Sequence, residues 1–129
     1  ISENIHVRSI VGNFLEHSRI FFFLNDGEEE LYMGSADWMP RNLDRRVEIL
    51  FPVLDDTLKE KVKHILDVEL ADNTKAHVLK PDGEYEKIDR RGKVLVNSQK
   101  QFCEEAVAAV PKTDHVYRER VFVPAEPAE

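Results

Sequence analysis

The amino-acid sequence predicts one α/β domain fragment. Two observations predict it. Successive segments carry apolar residues with strand or helix period, in the order strands, helix, short strand, helix. The length of 129 residues is that of one ordinary domain, and a domain of about 150 residues buries roughly two-thirds of its unfolded surface without disulfides or metals.

Composition and charge exclude several function classes. The net charge of −7 excludes general binding to nucleic acid. The longest apolar run, Ile20 to Leu24, is far shorter than a membrane span, and the opening residues lack the pattern of a signal peptide. The single cysteine, Cys103, excludes an internal disulfide and a multi-cysteine zinc site, and its place beside Phe102 predicts burial.

The two ends of the chain differ from its middle. The chain opens on Ile1, and Asn4 to Arg8 has the pattern of a strand already under way, so we expect a fragment of a longer polypeptide. We expect the domain to occupy residues 1–110. Residues 111–129 are rich in proline and are expected to form a partly mobile C-terminal tail. Within that tail, Val116 to Val123 alternates as an edge strand or a docking segment would.

The first half of the chain contains mainly strand patterns. Ser9 to Glu16 has helical spacing over barely two turns and predicts a short helix. Ile20 to Leu24 predicts a strand buried on both faces. Asp26-Gly27 is a strong hairpin signal, so Leu31 to Ala36 is expected to return as the partner strand. Arg46 to Leu54 alternates partly, but its proline limits it to a strand end or a sheet edge.

The second half contains two helix patterns. A capping box at Thr57 to Glu60 opens an apolar stripe that should end near Asp72-Asn73. Ala76 to Leu79 predicts a short strand, followed by a turn. A second capping box at Ser98 to Gln101 predicts a helix that Pro111 stops.

The hairpin brings polar residues together just beyond its strands. If it folds about Gly27, the numbers of paired residues sum to about 54, so His17 faces Asp37 and Arg19 faces Ser35. An imidazole exchanges protons near pH 7, a guanidinium binds phosphate oxygens, a carboxylate can orient the imidazole and a hydroxyl can donate to an oxygen. This combination predicts a phosphoryl-transfer site, although spacing alone leaves a structural histidine the more common alternative.

Two longer strings carry a family resemblance. Glu16-His17-Ser18-Arg19 and the string from Gly34 to Glu48 resemble the final catalytic domain of bacterial polyphosphate kinases, within the phospholipase D superfamily. The likeness runs from about Ile5 to Val110. The superfamily motif is His-x-Lys followed by Gly-Ser-x-Asn. Here Arg19 replaces the lysine and Asp37 the asparagine, a departure that polyphosphate kinases share and that argues against lipid hydrolysis.

The resemblance implies a fold and a reaction. The implied fold is a phospholipase D-like mixed sheet flanked by helices, and the implied reaction is reversible transfer of the terminal phosphate of ATP to inorganic polyphosphate. The family forms a phosphohistidine in a preceding domain. His17 matches a second histidine that contacts the nucleotide phosphates and acts as general acid or base, with Arg19 as its catalytic neighbour. The expected substrate-binding residues are His17, Ser35, Asp37, Arg41, Asn42 and Arg45.

The resemblance also implies partners and a setting. We expect ATP or ADP, inorganic polyphosphate, the preceding domains of the same polypeptide and further copies in a homo-oligomer. Mg²⁺ is expected in the full-length enzyme, with its ligands outside this chain and no metal ligand within it. The fragment alone should be inactive. The expected location is the cytoplasm, with peripheral association at the inner face of the membrane as a second setting.

Several alternatives stay open. Arg41, Arg45 and Arg46 either bind a polyphosphate chain or form a surface ion-pair cluster. Asn42 is equally suited to cap a turn. Trp38 is better suited to packing than to stacking on a base. For the whole chain, the alternatives are a non-catalytic packing and oligomerisation module and a phospholipase D-like phosphodiesterase.

Overall fold

The computed structural model describes residues 3–110, which form six strands, three α-helices and a single 3-10 turn at Asn25–Gly27. In chain order the elements are β1 Arg8–Ile10, β2 Ile20–Phe23, β3 Glu30–Gly34, α1 Pro40–Arg45, β4 Leu50–Pro52, α2 Asp56–Ala71, β5 Ala76–Leu79, β6 Tyr85–Lys87 and α3 Ser98–Ala109. The predicted tail at residues 111–129, with its Val116 to Val123 segment, lies outside the described residues.

The strands form two separate three-stranded sheets. Their orders are β1-β5-β6 and β2-β3-β4, and every strand pair within residues 3–110 is antiparallel. The α/β class is therefore confirmed, whereas a mixed sheet is wrong for this part of the chain. The physical reason is connectivity: short turns join β2 to β3 and β5 to β6, and such turns produce antiparallel pairs.

The β2–β3 turn sets the register of the first sheet. Asn25, Asp26 and Gly27 all have positive φ angles, of 46°, 56° and 100°, so the turn that the Asp-Gly pair predicts is confirmed. Ile20 lies opposite Met33, and the numbers of paired residues sum to 53. The predicted register is thus wrong by one residue, because the connection spans residues 24–29 and its centre falls between two residues rather than on a glycine.

Helix α2 covers only one face of the β2-β3-β4 sheet. Leu31, Val53 and Val62 form the buried core between the sheet and this helix. Because neighbouring residues in a strand point to opposite faces, part of the aromatic run in β2 lies on the uncovered side. Phe22 is 37% exposed and Phe23 54% exposed, so the prediction of a strand buried on both faces is wrong for the residues described.

Both long helices begin with a different cap from the predicted one. The Asp55 carboxylate accepts a hydrogen bond from the backbone N–H of Leu58 at 2.9 Å, and Asn97 caps α3 in the same way. Thr57 lies inside α2 and Ser98 begins α3. Aspartate and asparagine cap helices as well as serine or threonine, so these nearby residues extend each helix slightly toward its N-terminus.

Other predictions need correction. The predicted helix at Ser9 to Glu16 is absent, because β1 pairs with β5 and residues 11–16 follow without regular structure. The predicted strand from Arg46 to Leu54 shortens to β4 at the sheet edge. Cys103 is exposed rather than buried, on the solvent side of α3. Within residues 3–110, none of the helices combines the length and apolar character that crossing a membrane requires.

A buried carboxylate joins the elements around α2. Asp72 is 0% exposed. Its Oδ1 accepts hydrogen bonds from the backbone N–H groups of Thr74, Lys75 and Ala76, at 2.9, 2.8 and 3.2 Å. Its Oδ2 accepts from the N–H and the hydroxyl of Ser98, at 2.8 and 2.9 Å. Burial alone would raise the pKa of Asp72, but these hydrogen bonds favour the charged form and lower the pKa below 3.8.

Asp72→Asn should destabilise the chain by about 2–3 kcal/mol at pH 7, because an amide cannot accept all of these hydrogen bonds and leaves buried donors unpaired. The measurement is urea unfolding, with Asp67→Asn as the control because Asp67 is exposed on α2. A carboxyl with a lowered pKa stabilises the fold above its ordinary pKa and loses that effect as the pH falls. The difference between wild type and Asp72→Asn should therefore shrink below about pH 4. A difference that is constant with pH would contradict this assignment.

Candidate functional site

The candidate site lies where β2 begins and β3 ends. The N–H of Gly34 donates to the Arg19 carbonyl at 2.9 Å, so the strand pairing continues to Arg19. The Nε of Arg19 donates to Oδ1 of Asp37 at 2.8 Å. The Arg19 side chain is 22% exposed and the Asp37 side chain 45% exposed. The structure thus brings two of the predicted site residues into a partly buried ion pair.

The same guanidinium holds His17. Arg19 donates from Nη1 to the His17 carbonyl at 3.1 Å, and its Nη2 lies 3.4 Å from Nδ1 of the ring. Because a guanidinium can only donate, Nδ1 accepts and the neutral imidazole carries its proton on Nε2. Orientation of the ring by Asp37 directly is therefore a wrong prediction. Arg19 lies opposite Gly34 instead of Ser35, so the predicted pairs are shifted by one residue. Asp37 contacts Arg19, and Arg19 in turn contacts His17.

The charges of the cluster stabilise one another. The hydrogen bond from Arg19 lowers the pKa of Asp37. Partial desolvation opposes that effect, and the positive charges of Arg19, of His17 in its protonated form and of Arg41 add to the lowering. The hydrogen bond to Asp37 in turn raises the pKa of Arg19. Asp37 and Arg19 therefore both remain charged near neutral pH.

The turn that carries Asp37 is fixed by α1. Asn42 is only 3% exposed, and its Nδ2 donates to the Asp37 carbonyl at 3.0 Å. The N–H of Met39 donates to the same carbonyl at 2.7 Å. Pro40 begins the helix, where its missing N–H costs no hydrogen bond. In this structure Asn42 supports the turn, as its alternative interpretation predicts.

The two arginines of α1 are exposed. Arg41 and Arg45 lie four residues apart and so share one side of the helix. Neither forms an ion pair within residues 3–110, so the predicted surface ion-pair cluster is not found there. Arg41 is close enough to lower the pKa of Asp37. Binding of polyphosphate by the two arginines stays a prediction.

Ser35 forms its hydrogen bonds with residues 48 and 49, away from Arg19. Its hydroxyl donates to Oε2 of Glu48 and accepts from the backbone N–H of Ile49 at 3.0 Å. Its own N–H donates to the Ile49 carbonyl at 3.0 Å. The predicted pairing of Ser35 with Arg19 is therefore wrong, again because of the one-residue shift in register.

An apolar groove of about 700 Å³ lies beside the cluster, on the face of the sheet that α2 leaves uncovered. Trp38 stacks on Phe21 with ring centroids 5.6 Å apart, as a packing role predicts, yet it is 75% exposed. Within residues 3–110, no group of three or more histidine, cysteine, aspartate or glutamate side chains could hold a metal ion.

The residues that hold the segment preceding His17 were not predicted from the sequence. Gln99 in α3 binds the segment before the histidine, and Gly12 leaves room for it. Gly12 interrupts the helical spacing of Ser9 to Glu16, and a glycine inside such a pattern can have a packing reason, which was the available signal. The position of Gln99 could not be predicted, because it contacts residues more than eighty positions away in the chain.

Comparison with known proteins decides the family. A family model for the polyphosphate kinase C-terminal domain 2 matches residues 1–99. This chain belongs to that family. It is 49% identical over 115 residues to a polyphosphate kinase of Lactiplantibacillus plantarum. That alignment covers 89% of this chain and 16% of the relative. It is also 52% identical over 111 residues to a polyphosphate kinase of Pseudomonas aeruginosa. That alignment covers 85% of this chain and 16% of the relative.

A solved structure supports the same assignment. The crystal structure of polyphosphate kinase from Porphyromonas gingivalis is similar with a TM-score of 0.73 and 38% sequence identity. The similarity covers 82% of this chain and 16% of that one. The chain thus spans about a sixth of the length of the relatives it matches.

Asn42→Ala should loosen the turn that carries Asp37, because one of the two donors to its carbonyl is lost. We expect a loss of about 1 kcal/mol in unfolding free energy. We also expect a change in fluorescence of Trp38, the only tryptophan of the chain and the neighbour of Asp37. Arg45→Ala, an exposed change in the same helix, is the control. Equal stability and emission in the two variants would show that Asn42 does not hold the turn.

Proposed function

We propose that this chain is the C-terminal catalytic domain of a polyphosphate kinase. The proposed reaction is reversible transfer of the terminal phosphate of ATP to inorganic polyphosphate, through a phosphohistidine in a preceding domain. Membership of the family supports the enzyme class. The observation that supports a catalytic role for this domain is the contact of Arg19 with Nδ1 of His17, which leaves Nε2 as the proton-bearing nitrogen of an exposed ring.

His17 is proposed to contact the nucleotide phosphates and to act as general acid or base. When the histidine of the preceding domain attacks the terminal phosphorus, the bond between that phosphorus and the ADP oxygen breaks. A neutral ring with its proton on Nε2 can then donate a hydrogen bond to the departing oxygen. To donate a proton as a general acid, the ring must first be the imidazolium, which carries a proton on Nδ1 as well and gives up the contact with Arg19 there. The reverse reaction needs the same nitrogen as the acceptor. A ring held at Nδ1 presents Nε2 in one orientation, which both directions require.

Arg19 is proposed to bind a non-bridging phosphate oxygen while it orients His17. A guanidinium has five N–H donors, and the contacts to Asp37 and His17 occupy three of them. The two others have no acceptor within residues 3–110. An ammonium group has only three donors and no planar fork, so a lysine could not make all these contacts at once. The arginine at this position therefore suits a site that holds both an imidazole and a phosphate.

The remaining predicted residues have supporting roles in this proposal. Arg41 and Arg45 would extend the positive charge along α1 for a polyphosphate chain, against an overall charge of −7. Asn42 would act by supporting Asp37. Ser35 would bind a phosphate oxygen only after its hydroxyl leaves Glu48.

The wider assembly is also part of the proposal. The two antiparallel sheets would belong to a larger phospholipase D-like sheet that other parts of the polypeptide complete. ATP or ADP, polyphosphate, the preceding domains and a homo-oligomer are the proposed partners. Mg²⁺ would be held by residues outside this chain, and the isolated fragment would be inactive. We place the protein in the cytoplasm, where peripheral contact with the inner face of the membrane is a further proposal.

A second candidate function is a packing module within a larger enzyme. The apolar groove beside Trp38 favours it, since an uncovered apolar face is typical of an interface. In that case His17 would have no chemical role. A phosphodiesterase is disfavoured, because Arg19 and Asp37 differ from the phospholipase D pattern.

His17→Ala in the full-length enzyme should lower the rate of phosphate transfer by about 100-fold or more, since general acid–base catalysis contributes that much. His64→Ala is the matched control, because His64 is an exposed histidine bound to Glu105 at 3.0 Å. Transfer is measured with labelled ATP after circular dichroism has shown both variants to be folded. A rate for His17→Ala within threefold of the His64→Ala rate would favour the packing module.

Arg19→Lys should lower transfer by about tenfold, because a single ammonium cannot replace a fork that binds two protein groups. Arg90→Lys, an exposed change after β6 and away from the cluster, is the control and should leave the rate unchanged. Steady-state kinetics in both directions of the reaction measures the effect. Equal rates for the two lysine variants would show that the fork geometry of Arg19 is not used.

A further inference from the structure

Gln99 is a buried amide at the start of α3 that binds the segment leading into the candidate site. It is 6% exposed. Its Oε1 accepts from the backbone N–H groups of Asn13 at 2.7 Å and Phe14 at 3.0 Å. Its Nε2 donates to the Phe14 carbonyl and to Oε1 of Glu16, both at 2.8 Å. Both donors and both acceptor positions of the amide are thus occupied by one short segment.

The close approach of this amide depends on a glycine. A Cβ atom added at Gly12 would lie 2.2 Å from Oε1 of Gln99, far inside van der Waals contact. Gly12 therefore lets the backbone of residues 12–14 close around the amide.

The bound segment has no other regular support. Residues 11–16 lie between β1 and β2 outside any strand or helix, and His17 follows directly. Arg19 holds His17 from the β2 side, and Gln99 holds the preceding residues from α3. The start of α3 is itself fixed, since the Asp72 carboxylate binds both the N–H and the hydroxyl of Ser98. The approach to His17 is therefore held by part-buried contacts from Gln99 on one side and by exposed contacts from Arg19 on the other.

We propose that Gln99 is a positioning residue for His17, acting through residues 13–16. This inference rests on the proposed function of His17 and extends it to a residue that touches no substrate. A displacement of about 1 Å at a reacting group can cost about 100-fold in rate. Loss of the amide contacts should therefore lower kcat, while the KM for ATP, to which Arg19 and other parts of the enzyme contribute, changes much less.

Gln99→Glu in the full-length enzyme is the test variant. The substitution keeps the size of the side chain and one acceptor oxygen, but it replaces the donor Nε2 with an oxygen that faces the Phe14 carbonyl and the Glu16 carboxylate. Gln101→Glu is the matched control: it makes the same chemical change two residues along α3, where the side chain donates to Glu105 at 2.8 Å.

A double variant tests the contact itself. Gln99→Glu combined with Glu16→Gln restores the hydrogen bond between the two side chains with donor and acceptor exchanged. We expect it to recover part of the lost kcat. Recovery would show that the loss of kcat comes from this contact, since the second change restores only the bond between these two side chains.

Three readouts separate the possible results. In Gln99→Glu we expect kcat to fall tenfold or more, with KM for ATP within about threefold of the wild type. We expect faster hydrogen exchange at the Asn13 and Phe14 amides, and shifted resonances of the ¹³C-labelled His17 ring. Gln101→Glu should change none of these.

The inference is overturned if exchange increases in Gln99→Glu while the His17 resonances and kcat match the control. It is also overturned if exchange at the two amides does not change. A result in which the His17 ring moves but His17→Ala leaves the rate unchanged supports positioning by Gln99 and instead contradicts the proposed function of His17.

Discussion

The hydrogen bonds to the buried Asp72 carboxylate fix the junction of α2, β5 and α3, and the support of the candidate site from α3 depends on that junction. This one side chain binds the chain just after α2, the start of β5 and the first residue of α3. With the start of α3 fixed, Gln99 meets residues 13–16, and that segment delivers His17 to the end of the β2-β3-β4 sheet. A buried carboxylate without these donors would be strongly unfavourable, so the contacts form together or not at all.

Around His17, the guanidinium of Arg19 has three separate roles. Arg19 neutralises Asp37, sets the tautomer of His17 and retains donors that can face an anion. Because Arg19 and Asp37 cancel each other's charge, the excess positive charge beside the cluster comes from Arg41 and Arg45 of α1. The three roles together also give a structural reason why position 19 is an arginine rather than the lysine of the superfamily motif.

Local patterns predicted much of the fold. Helices α2 and α3, the strand β5 and the turn before β3 could be predicted because each depends on nearby residues: an apolar stripe, a short apolar stretch or an Asp-Gly pair. The strand register could not be predicted. A shift of one residue in a six-residue turn leaves the local sequence pattern unchanged but changes which residues face each other along the two strands. This is why the predicted partners of His17 and Arg19 were wrong.

The contacts that complete the site are long-range, and this explains the other differences. Residues 9–16 have helical spacing, yet their hydrogen bonds go to β5 and to Gln99, which the local sequence does not reveal. The exposure of Phe23 depends on which face α2 covers, a tertiary property. The residue types of the cluster were predictable from the family motif, but the role of Arg19 as the link between His17 and Asp37 required the three-dimensional arrangement.

The role assigned to His17 is tested most directly by a crystal structure of the full-length enzyme with a non-hydrolysable ATP analogue. We expect a phosphate oxygen about 3 Å from Nε2 of His17 and a second oxygen within hydrogen-bond distance of Arg19, with the contact between Arg19 and Asp37 retained. Phosphates bound elsewhere, with Nε2 of His17 in contact with protein or solvent alone, would contradict this role.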